Sequence, residues 1–145
     1  MEEKTYEFKL SRNEFRYEFI SISDEKRANK IVLFTETKTL NLFNLALLDV
    51  LENGDLSDST ETKNKDLKVV LATVIQIVND FLSKNPNFLI AFKGSEEKRQ
   101  RLYRIIIGKE LTKILKKFEV YGVINNTIYI FEKNIEYDFY LIKKR

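Results

Sequence analysis

The chain has no cysteine, no histidine and no tryptophan among its 145 residues. Without cysteine there is no disulfide framework, no thiol nucleophile and no thiolate metal site. Without histidine, the commonest general base and the commonest transition-metal ligand are missing. Ser-His-Asp and Cys-His catalysis, zincin motifs and His-dependent ribonuclease sites are therefore excluded. Long apolar runs are also lacking. Leu45 to Leu48 and Ile105 to Ile107 fall far short of the roughly 20 residues that span a bilayer. The start, Met1-Glu2-Glu3-Lys4, is acidic and is not followed by an apolar stretch, so no secretory signal and no membrane association are expected, and a cytoplasmic setting is. Neither sign of charge dominates: 25 Lys+Arg against 22 Asp+Glu give a net +3, which neither demands nor excludes an anionic partner.

What is present describes a globular chain, 43% hydrophobic and 32% charged, of a length suited to a single domain over residues 1–145. The first third alternates. Tyr6, Phe8 and Leu10, then Phe15, Tyr17 and Phe19, are spaced by two, as in strands buried on one face. Ile31 to Phe34 is a short apolar run suited to a third strand. Leu40 to Leu47 is read as a fourth strand bulged at Phe43-Asn44, although a helical period also fits. Residues Glu52 to Asp66, with Asn53-Gly54-Asp55 and several Ser, Thr and Asp, form a long polar loop.

Leu67, Val70, Leu71, Val74, Ile75, Val78, Phe81 and Leu82 fall on one stripe at 100° per residue, which predicts an amphipathic helix from Asp66 to Lys84. Asp66 is its expected N-cap, and Asn85-Pro86 ends it. Phe88 to Phe92 reads as a strand. From Ser95 the period is helical again, with Tyr103, Ile107, Leu111 and Ile114 near one face. Its rival is a strand over Leu102 to Ile107, because the β-branched run Ile105-Ile106-Ile107 and Gly108 weaken a helix. Strands return at Phe118 to Gly122, at Ile128 to Phe131 after Asn125-Asn126, and at Ile135 to Leu141. The expected fold is α+β in the order ββββ-α-β-α-βββ: one antiparallel-rich, twisted sheet with two main helices packed on one face.

The strongest candidate for binding chemistry is Lys93-Gly94-Ser95 followed by Arg99, Arg101 and Arg104. A strand running into Gly-Ser at a helix start leaves backbone N–H groups unpaired, which favours an anion. Arginines can add bidentate contacts to phosphate or carboxylate. Lys93 to Phe118 holds nine Lys+Arg against three Glu. The segment is neither a P-loop nor a dinucleotide fingerprint. Aromatic residues at Phe15, Tyr17, Phe19, Tyr137, Phe139 and Tyr140 are read as core, with acidic neighbours opposing nucleic acid there. Asp24, Glu36 and Lys38 form a sparse carboxylate-plus-lysine set of the kind that metal-dependent nucleases use. Asp49, Asp55, Asp58 and Asp66 lack EF-hand spacing.

Three stretches, Asn44 to Asp49, Asn64 to Val74 and Gly94-Ser95 with Arg99 to Arg104, resemble an uncharacterised bacterial domain family of about 150 residues. The second contains Asp66 with Val70-Leu71-Ala72-Thr73-Val74, and the third Gly94-Ser95 with Arg99, Arg101-Leu102-Tyr103-Arg104. The resemblance implies a domain spanning most of the chain and no particular reaction. The expected function is a non-enzymatic binding module that engages nucleic acid or a nucleotide through Gly94 to Arg104, with no cofactor and no catalytic residue. The alternatives are a protein-interaction module of the immunity, antitoxin or phage-defence kind, acting through the acidic loop or a strand edge, and a metal-dependent nuclease.

Overall fold

A computed structural model describes residues 4–10, 15–22, 27–57, 67–93 and 97–145. Alternation builds the first strands. In β2 (Arg16–Ile22), Tyr17, Phe19 and Ser21 are buried while Glu18, Ile20 and Ile22 face out. It pairs antiparallel with the short β1 (Phe8–Leu10) and with β3 (Arg27–Glu36). β3 pairs in turn with β4 (Leu42–Val50) in an unbroken register from Lys30↔Asp49 to Glu36↔Phe43. The bulge expected at Phe43-Asn44 is absent, because one-to-one pairing keeps Phe43 and Leu45 buried on the same side. The polar segment after β4 is not all loop either: Leu51 N–H bonds the Asp55 carbonyl, and the chain folds back as β5 (Leu56–Ser57) on β4.

Helix α1 (Leu67–Lys84) follows the 3.6-residue period and ends just before Asn85-Pro86, where the Asn85 side chain donates to the Phe81 carbonyl at 2.9 Å. The predicted cap Asp66 lies outside the described residues. The helix also supplies the crossover that a parallel pair requires, because β6 (Leu89–Phe92) runs parallel to β4. Helix α2 (Glu97–Lys109) is continuous through Ile105 to Gly108. The short α3 (Leu111–Ile114) follows it. β7 (Phe118–Ile124) and β8 (Thr127–Ile130) form a hairpin closed by Asn125 and Asn126 at φ 49° and 65°. Asparagine tolerates the positive φ that both central residues of such a tight turn require.

β9 (Phe139–Lys144) inserts between β6 and β7. The strand expected from Ile135 begins only at Phe139. Tyr137 instead lies over Gly122, where a Cβ would overlap its ring. The described residues thus form a mixed α+β fold whose nine-stranded sheet, ordered β1-β2-β3-β4-β6-β9-β7-β8 with β5 on β4, is mostly antiparallel. It differs from the predicted order by the extra strand β5 and by α3.

The main core joins α1, α2 and α3 side chains to alternate strand residues. Phe81 is its hub. Its ring stacks on Phe34 at 4.0 Å and meets Phe15, Phe43 and Phe88 at 5.1, 5.6 and 5.7 Å. A second cluster of Ala91, Val123 and Leu141, flanked by Tyr121 and Phe139, contains no helix residue.

Candidate functional site

Two recesses compete for a functional reading. The larger, an open hollow of about 1080 Å³, runs along β1, β2 and β3 past Tyr6, Phe8, Ile20 and Ile22. Its cations are already neutralised: Lys30 is buried in an ion pair with Asp49, and Arg16 pairs with Glu18 at 3.1 Å. The hollow therefore presents a largely apolar wall whose two cations are paired.

The smaller recess is a cleft of about 200 Å³ lined by Arg104, Ile105, Gly108, Lys109, Lys133 and Asn134. Helix α2 forms one wall. Tyr103 anchors that helix by stacking on Phe92 at 5.1 Å, and Gln100 donates to the Tyr137 carbonyl at 3.2 Å. With Tyr103 turned to the sheet, the helical period carries Arg104 and Gly108 to the adjoining flank. The opposite wall is the turn after β8, where Asn134 at φ 65° reverses the chain beside Lys133. Gly108 leaves the space between the walls open.

The electrostatics of this cleft are one-sided. Arg104, with only 17% of its side chain exposed, meets Glu136 at 3.6 Å, and Glu136 is 91% exposed. Lys109 and Lys133 are exposed, and among the described residues neither enters an ion pair. Behind Arg104 lies Tyr140, fully buried, whose hydroxyl has no hydrogen-bond partner among the described residues. Burial pushes its pKa up to about 12, with Tyr137 adding to the rise and Arg104 opposing it. Tyr140 is therefore a neutral phenol at physiological pH.

The sequence-predicted set is only partly assembled here. Lys93 is exposed just past β6, Arg101 is exposed on α2, and Arg104 lines the cleft. Gly94, Ser95 and the Arg99 side chain lie outside the described residues. Arg104 is joined by two cations that sequence reasoning did not single out, Lys109 and Lys133. Lys109 belongs to the basic run already noted, whereas Lys133 comes from another segment and is brought in only by the turn after β8. Its signal was the turn dipeptide Lys133-Asn134.

Of the carboxylate-plus-lysine set, two members fall among the described residues. Glu36 and Lys38 are exposed at the end of β3 and in the turn after it, and Asp24 lies outside the described residues. Among the described residues no group of three acidic side chains is placed to hold a metal ion. Of the loop acids, Asp49 is committed to Lys30, and the backbone N–H of Asp55 donates to the Asn53 side chain at 3.0 Å. Asp58 and Asp66 lie outside the described residues. Tyr17, Phe19, Tyr137 and Tyr140 are buried, as the core reading of the aromatics expected, although Phe15 is 38% exposed. No helix among the described residues is long and apolar enough to cross a membrane.

No curated protein and no solved structure matches the chain. Residues 2–145 match the family of unknown function DUF6934 over nearly the whole length, and the chain belongs to that family.

Proposed function

We propose that this protein is a non-enzymatic binding module for a phosphate-bearing ligand, a nucleotide or nucleic acid, held in the cleft between α2 and the turn after β8. One observation carries the reading: Arg104, Lys109 and Lys133, from two separate segments, line a single cleft in which, among the described residues, only Arg104 has an acidic partner. Arg104 supplies a preorganised fork for two phosphate oxygens, and the lysines supply point charges. Arg101, exposed on the neighbouring flank of α2, extends the basic surface, and the anion contacts expected of Lys93, Gly94, Ser95 and Arg99 belong to the same proposal. The layered arrangement, with α1 and α2 over one sheet face, is part of this reading, and the shared core cluster supports it. So is a cytoplasmic setting, where nucleotides and nucleic acids are abundant.

Fluorescence anisotropy with a labelled single-stranded oligonucleotide, run beside calorimetric titration of a nucleoside triphosphate, tests the proposal. Phosphate-dominated binding weakens steeply between about 50 and 200 mM salt. Lys133→Glu should abolish binding while leaving thermal stability within about 0.5 kcal/mol, because the side chain is exposed. Absence of binding to both probes at low salt, or binding that Lys133→Glu leaves intact, would overturn the assignment.

A further inference from the structure

Strand β8 breaks the usual rules for a sheet edge. It has one neighbour, β7, in the sheet order. All four of its residues are exposed, including Ile128 at 60%, Tyr129 at 49% and Ile130 at 76%. Natural edges are blunted by lysine, proline or an inward charge. β8 reads Thr127-Ile128-Tyr129-Ile130 and has none of these, whereas the opposite edge strand β1 carries Lys9. The apolar surface continues inward on the outer sheet face. Ile130 pairs with Tyr121 and Ile128 with Val123, and these pair in turn with Leu141 and Phe139.

The ladder also determines which backbone groups of β8 are free. Phe131 N–H bonds the Val120 carbonyl at 3.1 Å. In an antiparallel pair the bonded residues alternate, so Thr127, Tyr129 and Phe131 point their N–H and C=O at β7. Ile128 and Ile130 point theirs outward. Past Ile130 the edge is closed: the Tyr137 hydroxyl accepts from the Glu132 N–H at 2.9 Å and lies 3.5 Å from the Ile130 carbonyl. The pairable edge is therefore short and bounded by the hairpin turn and by Tyr137.

We propose that this edge pairs with the same edge of a second copy, antiparallel about a two-fold axis through Tyr129. This register places Ile128 opposite Ile130 of the second copy, so both free backbone groups of Ile128 and the Ile130 N–H find complements, the Ile130 carbonyl accepting a second bond beside the Tyr137 hydroxyl. Side chains keep their faces: the isoleucines extend the outer apolar surface across the seam, and Tyr129 meets its equivalent on the other face. The strand is uncharged, so self-pairing brings no like charges together. An edge bearing lysine lacks that property. The exposed surface of the three apolar side chains is about half of the ~800 Å² per partner that a stable interface buries. The dimer is accordingly weak and forms with rising concentration. This inference does not depend on the anion cleft.

Light scattering after size exclusion, from about 5 to 500 µM loaded protein, reads the association, micromolar dissociation constants being typical of marginal interfaces. The mass should rise from the 17.2 kDa of one chain toward twice that value, and Ile130→Lys should hold it at one chain throughout. Because the native chain lacks cysteine, Tyr129→Cys introduces a single thiol at the two-fold axis. Facing residues of a non-hydrogen-bonded pair have Cα atoms about 4.5 Å apart, within disulfide reach. Mild oxidation should cross-link Tyr129→Cys to a covalent dimer, while Lys38→Cys, at an exposed turn far from the seam, should stay monomeric. Circular dichroism melting confirms that each variant is folded. A wild-type chain that stays monomeric at 500 µM, a dimer that survives Ile130→Lys, or equal cross-linking at both thiols would overturn the proposal. A monomer would leave the edge to a strand from a different protein.

Discussion

Helices α1 and α2 both follow a 3.6-residue period, and both contribute to the main core, yet they serve different ends. On α1 the buried arc is wide: Val70, Leu71, Val74, Ile77, Val78, Phe81 and Leu82 are all buried, as are Ala72 and Thr73 between them. Among the described side chains of α2 only Tyr103 is buried, and Leu102 and Ile105 are 37% and 43% exposed. The difference shows that amphipathic spacing alone does not say how much of a helix is structural. A helix whose apolar residues wrap most of its circumference becomes core. One anchored chiefly by a single aromatic has flanks left over, and the flank of α2 carries two of the three cations of the cleft.

The comparison can be broken most sharply at Phe81. Phe81→Ala removes the ring on which Phe34 stacks and which Phe15, Phe43 and Phe88 surround. A loss of about 3–5 kcal/mol is expected in urea unfolding, as for other buried aromatic truncations. If the loss is no greater than about 1 kcal/mol, the α1 side is not the structural half.

Lys30 and Asp49, directly opposite each other on β3 and β4, test whether charge in this half is structural or functional. Lys30→Met strands a buried carboxylate and should cost about 3–5 kcal/mol, whereas combining it with Asp49→Leu should restore most of that stability. Comparable anion affinity in the double variant would confirm that this pair takes no part in binding.

On the α2 side Gly122 lies beneath the Tyr137 ring, with no room for a Cβ. Gly122→Ala forces that ring aside, and overpacking of this kind costs about 1–3 kcal/mol. Because Tyr137 also accepts Gln100 on its carbonyl, anion affinity should weaken in this variant, whereas uncapping the Glu132 N–H lengthens the free β8 edge and should not weaken self-association.

The smallest effect is expected at Asp80, on the outer side of α1. Its partial burial acts to raise its pKa, but hydrogen bonds from Tyr17 at 2.6 Å and Lys84 at 3.0 Å outweigh this and hold it below its ordinary 3.8. A carboxylate lowered on folding adds stability above its unfolded value and loses it as pH falls through the folded value. Asp80→Asn should therefore be less stable than wild type at pH 7, and the gap should close as pH falls through the lowered folded value, read as urea midpoints at each pH. The Tyr17 hydroxyl, raised by burial and by Asp80, stays protonated throughout.

Most of the strand and helix positions were legible because the signal was local. Alternation at Tyr17 and Phe19, the stripe from Val70 to Leu82 and the turn at Asn125-Asn126 each reflect physics within a few residues. The misreadings arose where tertiary contacts overrode that signal. Ile135 and Tyr137 alternate with Phe139 and Leu141, but the glycine opposite Tyr137 takes its ring and frees that segment from the sheet. Over Ile105 to Gly108 the expected helical period prevails over its strand rival, with Tyr103 on Phe92 and Ile114 in the core on either side. Leu56 and Ser57 carry no strand pattern of their own and become one by pairing with β4.

By itself the sequence determined the cysteine- and histidine-free chemistry open to this protein, the mixed α+β class and the basic character of the region after β6. Those properties depend on residue type and short-range period, which need no partner in space. Only the tertiary structure decided that β9 slips between β6 and β7, that Arg104 finds Lys133 from another segment, and that β8 is left as an uncharged open edge. Each of these depends on which distant residues meet, and the chain's local preferences do not encode that meeting until the whole sheet has formed.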